Sequence, residues 1–279
     1  MASIGALLAT SAARLALRLA ARVIRPEPPP DFPVTAMGLH LANPLGLAAG
    51  FDRDGALLRA LPLCGFGFVE IGTVRLQGAT AGPALEHLTR PRAIPVGVNF
   101  AGASDGFGAD ALAEYQAAMR LLAPHADYLT ANLSTPRAAM RQREAPWRRA
   151  AFVAALCRAR DALAEETGRR VPLAVKLPLG AGSPLECERL RAAGLDGVVG
   201  VGADRTIIEE VALSLAPVPL ISVGGVRSAA DIAARLARGA ALVQVHRAFT
   251  QGGPLSPRRL LAGLDVTARS PPAVSRRAG

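Results

Sequence analysis

The stretch VPLISVGGVRSAADIAARLARGAALVQVHRAF, Val218 to Phe249, decides the fold of this 279-residue chain. It opens with an apolar run from Val218 to Val223, breaks at Gly224 and Gly225, and restarts as a helix. Ser228 suits the N-cap, and Asp231 stands at the third helical position, where a carboxylate meets the positive helix end. Ile232 and Leu236 fall one turn apart on the inner face, Gly239 stops the helix, and Ala241 to Val245 reads as the next buried strand. A strand, a helix and a strand in this order make the two strands parallel. The glycines bare backbone N–H groups at the carboxyl end of a strand, where such sheets hold anions. A phosphate is the obvious guest, and a plain tight turn is the alternative.

The same rhythm extends outward. Apolar runs at Leu45 to Ala49, Gly67 to Ile71, Pro95 to Phe100, Tyr128 to Leu133, Pro172 to Leu177, Gly197 to Val201, Val218 to Val223 and Ala241 to Val245 make eight expected strands. Most are separated by helical patterns. Leu112, Tyr115, Met119 and Leu122 share one face, as do Phe152, Leu156 and Leu163. Ser183, Pro184 and Glu186 read as a capping box, and Asp204 as an N-cap before a stripe of Ile207 or Ile208, Val211 and Leu215. Strands apolar on both faces, alternating with helices, predict an α/β fold, a closed parallel (β/α)8 barrel, with an open doubly wound sheet as the alternative. Thr73 to Ala93 breaks the rhythm: it is turn-rich, and no helix of the expected length is predicted there.

With 51% hydrophobic residues the chain can bury one large core. Lys and Arg outnumber Asp and Glu by 32 to 22, yet no dense basic block with interleaved aromatics occurs, which argues against nucleic acid as a partner. An anionic membrane surface or a phosphorylated ligand uses the same charge. Cys64, Cys157 and Cys187 lie far apart, without metal-ligand spacing, and read as buried free thiols. Residues 2 to 25 contain no acid, and Arg14, Arg18, Arg22 and Arg25 form a stripe at helical spacing with Leu15, Leu19 and Ile24 beside it. Four arginines make a poor membrane span, whereas an amphipathic helix in a lipid interface fits. A helix packed on the main domain, a secretory signal and an organelle presequence are the rival readings. The expected organisation is an N-terminal amphipathic helix and Pro-rich linker over 1–30, the barrel over 31–265 and a disordered tail over 266–279.

In a barrel, function gathers at the carboxyl ends of the strands. The residues expected there include Ala48, Ala49, Gly50, Thr73, Asn99, Asn132, Ser134, Thr135, Lys176, Gly224, Gly225, Gln244, His246 and Arg247. Glycine and alanine let a flat ring approach the backbone, and Asn both donates to and accepts from an amide-rich heterocycle. Lys176, in LAVKLPL, is the sharpest single signal: an ammonium at the end of a buried strand is costly unless an anion answers it. A snorkelling lysine at a strand end is the plainer alternative.

In order along the chain, NPLGLAAGFDRDG (43 to 55), GFGFVEIGTV (65 to 74), PVGVN (95 to 99), ADYLTANLSTP (126 to 136), PLAVKL (172 to 177), DGVV (196 to 199) and SVGGVRSAADIAARLARGAALVQV (222 to 245) resemble dihydroorotate dehydrogenase. The N-terminal helix is similar to that of the membrane-attached, quinone-using class. The resemblance implies FMN as cofactor, dihydroorotate and orotate as substrate and product, and a quinone as electron acceptor. It further implies a peripheral place on the cytoplasmic face of a bacterial inner membrane. By position it implies that Ala48, Ala49, Gly50, Thr73, Asn99, Asn132 and Lys176 line the flavin ring, and that Val223, Gly224 and Gly225 hold its phosphate beside His246 and Arg247. Thr135 takes the place of the catalytic base, Lys176 helps stabilise the reduced flavin, and Arg53, Asn132 and Arg137 face the substrate.

Departures from the family pattern fall mostly on the substrate side. Thr135 stands for Ser, Arg53 for Lys, and Arg137 for Asn. The Asn-rich stretch expected between the second and third strands is absent between Arg92 and Pro95. Gly200, Val201, Gly202 and Ala203 replace an Asn-Thr pair, and His246 and Arg247 replace a Tyr-Thr pair. Each buried polar partner lost weakens a pyrimidine by about 1 to 3 kcal/mol. Three functions follow: a dihydroorotate dehydrogenase with a reduced substrate site, a flavin- or phosphate-binding barrel that has lost or changed the activity, and a flavin oxidoreductase for a more anionic substrate.

Overall fold

Runs of Val, Leu, Ile and Ala that are buried on both faces must be covered on both sides, and eight of them close on themselves. The computed structural model describes residues 14, 15, 17, 31–104, 106–134, 146–202 and 204–264. Its barrel strands are β3 (Leu45–Leu47), β4 (Phe68–Val74), β5 (Val96–Phe100), β6 (Tyr128–Asn132), β7 (Leu173–Pro178), β8 (Gly197–Val201), β9 (Leu220–Val223) and β10 (Ala240–Val245). All pair in parallel, in chain order, and β10 closes the ring on β3. This is the predicted (β/α)8 barrel. Solvent-side cover comes from α1 (Ala81–Leu88), α2 (Ala109–Leu122), α3 (Pro146–Thr167), α4 (Ser183–Ala192), α5 (Arg205–Leu215) and α6 (Ala229–Leu236), with α7 (Arg247–Gly252) and α8 (Ser256–Ala262) after β10.

The predicted break in the rhythm is corrected by α1. Ala84 and Leu88 are buried against the barrel, and Pro83 sits in the first turn, where it costs no hydrogen bond. A hairpin that the sequence reading missed, β1 (Val34–Ala36) and β2 (Leu39–Leu41), packs Met37 against Gly197 at the amino end of β8. Inside the ring, Phe68 and Tyr128 lie over Gly46 and Gly97, where a Cβ would come within 2.3 and 2.1 Å of the rings. Bulky rings over glycine fill the barrel as a packed core rather than a pore.

Helix ends repay individual reading. Ser228 caps α6 as expected, and Asp231 goes further than expected by closing a capping box with it, while Asp204 accepts from the N–H groups of Thr206 and Ile207 on α5. The capping box expected at Ser183 does not form: Gly182 is the N-cap, Ser183 Oγ accepts from Gly180 N, and Glu186 turns to Arg149 at 2.6 Å. On α6 the inner face holds Ile232 and Arg235, while Leu236 is only half-buried.

Of the N-terminal helix, Arg14 and Leu17 meet the barrel. Arg14 pairs with Asp54 at 3.2 Å and lies 3.8 Å from Asp52, and Leu17 is 1% exposed. Leu15 points outward. Arg18, Arg22, Arg25 and the Pro-rich linker fall outside the described residues, as does the tail over 266–279. No helix among the described residues is long and apolar enough to cross a membrane. All three cysteines are buried and free, and burial pushes the thiols of Cys64 and Cys187 up to about 12.

Candidate active site

Alternation along a strand sends every second side chain into the barrel, so the rim is built from the last inward positions of each strand. On β6 and β7 these are Asn132 and Lys176, register partners on adjacent strands. On β5 it is Asn99, and on β4 a register shift between Ile71 and Val74 brings Thr73 to the rim beside it. Thr73 Oγ1 donates to Asn99 Oδ1 at 2.8 Å, and Asn132 Nδ2 donates to both Thr73 Oγ1 and Asn99 Oδ1 at 3.1 Å. Ser134 completes the set by donating from its N–H and its hydroxyl to Asn132 Oδ1. Asn99 is fully buried and forms the floor, while Thr73, Asn132 and Lys176 are half-buried above it.

Beneath that floor lies a buried carboxylate that the sequence reading did not single out. Glu70 is 1% exposed and accepts from Asn99 Nδ2 at 3.0 Å, Thr130 Oγ1 at 3.0 Å, Gln244 Nε2 at 3.2 Å and Tyr128 Oη at 3.4 Å. Burial, and Glu70 beside it, push the Tyr128 phenol well above its usual range. With Nδ2 committed to Glu70, the Asn99 amide can only present Oδ1 upward. Glu70 thus orients the two asparagines that the sequence did point to.

Gly72 makes the approach of β4 to β5 possible: its φ is 111°, and a Cβ there would lie 2.2 Å from the carbonyl oxygen of Asn99. On the other side of the ring, Ala48 is buried and Ala49 and Gly50 reach the surface of the rim. His246 faces Gly50, with Nε2 3.6 Å from where a Cβ would stand. Burial, then the charges of Lys176, Arg247 and Arg53, hold its imidazole below the usual value, which keeps it neutral near pH 7. Arg53 and Arg247 are exposed.

A cavity of about 740 Å³ opens beyond the ends of β9 and β10, lined among others by Val223, Gly224, Gly225, Arg227, His246 and Arg247. Among the described residues no acid lines it, and its size suits a whole organic ligand. Gly224 and Gly225 have φ of 103° and 68°, and among the described residues no acceptor takes their N–H groups. Free backbone donors, arginines and no carboxylate make a site for an anion. These residues fit a flavin phosphate, and the Thr73, Asn132 and Lys176 rim fits the edge of its ring. Thr135 and Arg137 lie outside the described residues, so the expected base and one expected substrate contact have no position here. Among the described residues no group of three or more His, Cys, Asp or Glu side chains could hold a metal.

No family profile matches the chain. It is 33% identical over 291 residues to a dihydroorotate dehydrogenase (quinone) of Alkalilimnicola ehrlichii, covering 83% of this chain and 86% of that protein. A protein of the same name from Burkholderia pseudomallei is 32% identical over 284 residues, covering 81% and 83%. Among solved structures, the ligand-free DHODH of Eimeria tenella superposes with a TM-score of 0.77 at 21% identity, over 94% of this chain and 97% of that one. The same enzyme in complex with ferulenol gives 0.74 at 20%, over 91% and 92%.

Proposed function

Because this chain belongs to the dihydroorotate dehydrogenase family, we propose that it oxidises dihydroorotate to orotate in pyrimidine biosynthesis, with FMN as cofactor and a quinone as electron acceptor. The observation that carries the reading is the shared rim: Asn132, Lys176 and the Gly224–Gly225 turn all stand at the carboxyl ends of one ring of strands. A bound flavin supplies the acceptor for a hydride. The N–H groups of Gly224 and Gly225 and the Arg247 guanidinium would hold its phosphate. Lys176, register partner of Asn132, would set a positive charge at the rim beside the ring. Thr135 takes the proton leaving the substrate, and Arg53 and Arg137 answer its carboxylate. Asn132 stays pinned by Ser134, Thr73 and Asn99, so it needs no reorganisation when the substrate arrives.

A second reading rests on one specific feature. Between the end of α1 at Leu88 and the start of β5 at Val96, TRPRAIP contains no Asn, so the expected amide contacts to a pyrimidine are missing there. On that reading the barrel binds flavin or phosphate, and dihydroorotate turnover is lost or changed. Dihydroorotate-dependent reduction of a soluble quinone analogue separates the two. Turnover should fall on the order of a hundredfold or more in Lys176→Ala and Thr135→Ala. Wild-type protein that carries flavin and shows no turnover would leave the second reading standing.

A further inference from the structure

Arg235 reaches inward from α6 and is 4% exposed. Its guanidinium donates to the carbonyl oxygen of Gly202 at 3.1 Å, to Ser222 Oγ, and to the carbonyl oxygen of Gly224. Those three acceptors belong to the end of β8, to β9 itself and to the glycine turn, so one side chain ties together three points around the anion cavity. All three are neutral. Among the described residues Arg235 makes no ion pair with a carboxylate. The nearest acid along its helix, Asp231, answers its charge only from a distance: Oδ2 accepts from the N–H groups of Arg227 and Ser228 and from the Ser228 hydroxyl, and Oδ1 faces Arg205 at 3.6 Å.

A buried guanidinium without a counter-ion is costly, and neutral acceptors offset only part of that cost. The missing negative charge has an obvious place. Because Arg235 holds the Gly224 carbonyl inward, the Gly225 N–H of the same trans peptide is turned the opposite way, toward the side where the cavity lies. We propose that Arg235 is a positioning residue for the flavin phosphate: without touching it, the guanidinium sets the glycine turn from behind and answers the anion's charge through the turn. Gly202 lies in the stretch that replaces the family's Asn-Thr pair, and the Arg235 bridge to its carbonyl holds the end of β8 against the turn. This proposal rests on the reading of Gly224 and Gly225 as the phosphate site.

The test is a comparison of two ligands that differ only in the phosphate. Apoprotein is titrated with FMN and with riboflavin, and flavin fluorescence quenching gives both affinities for wild type, Arg235→Gln and Arg235→Lys. Arg235→Gln should lower the FMN affinity by on the order of tenfold or more and leave riboflavin within about twofold. Arg235→Lys, which keeps the charge and loses the fork, should recover part of the loss. Equal losses for both ligands would mean a structural role alone and would overturn the proposal, as would an unchanged FMN affinity in Arg235→Gln. Wild type that binds FMN no better than riboflavin would instead remove the phosphate site itself. Should Arg235→Gln not fold, the same FMN to riboflavin ratio in Ser222→Ala, which removes one anchor of the guanidinium, decides: a fall supports the proposal and no change overturns it.

Discussion

Asp52 sits one residue past Phe51, completely buried, with Oδ2 accepting from Leu57 N at 3.0 Å, Oδ1 3.8 Å from Arg14 and the Asp54 carboxyl beside it. Burial pushes its carboxyl up to about 6, against the pull of the Leu57 N–H and the Arg14 charge. A carboxyl harder to ionise in the fold than in the unfolded chain removes stability as it ionises. Between about pH 4 and 6 the folded chain therefore loses up to about 3 kcal/mol at this residue as pH rises, and regains it on acidification. Urea unfolding of wild type and Asp52→Asn at pH 4 and pH 7.5 should show the variant gaining on wild type at the higher pH. A gap that does not change with pH would contradict this. Residues of this kind were hidden in the sequence for a physical reason. Asp52 lies in a charged run, FDRDG, read as part of the rim after a strand, and Glu70 lies inside an apolar run; only the closed ring shows which side each faces. Asn99, Asn132 and Lys176 were legible because a polar group at the end of an apolar strand has one place to go.

Among the elements, α6 was read closest to the structure, since its Ser228 N-cap and its glycine stop are local chemistry that needs no tertiary partner. Its inner face was read less well: Arg235 counts as polar in any periodicity, yet it is more buried than Leu236. The hairpin of β1 and β2 was missed because three-residue strands are too short to show alternation, and their stability comes from packing on the barrel. The N-terminal helix divides its arginines. Arg14 is spent on Asp54 and Asp52, so the attachment to an anionic membrane expected from the sequence is to be tested at Arg18, Arg22 and Arg25. Each arginine near such a surface contributes about 1 kcal/mol. Co-sedimentation with anionic vesicles should thus fall sharply when these three are changed together to Gln, and binding to zwitterionic vesicles should be weak for both proteins. Equal binding to anionic vesicles before and after the change would remove the membrane role.

At the scale of the whole molecule, the parallel ring concentrates chemistry at one end and stability at the other. Met37 and the hairpin close the amino end, Phe68 and Tyr128 fill the middle, and the Glu70 network carries the rim. Phe51 and Phe66 meet Phe249 at 5.0 and 5.1 Å, which fixes the segment after β3 against α7 and so sets Gly50 opposite His246. Most of this end-to-end order was legible, because eight apolar runs separated by helices admit few closed arrangements. The substrate half was not, because its expected contacts lie in loops whose lengths differ from the family pattern. The most direct measurement is the visible spectrum of the purified protein, recorded without oxygen before and after adding dihydroorotate. A flavin band that bleaches on addition, and returns with a quinone analogue, is the predicted result; a preparation reconstituted with FMN whose band stays unchanged by dihydroorotate would contradict the proposed oxidation.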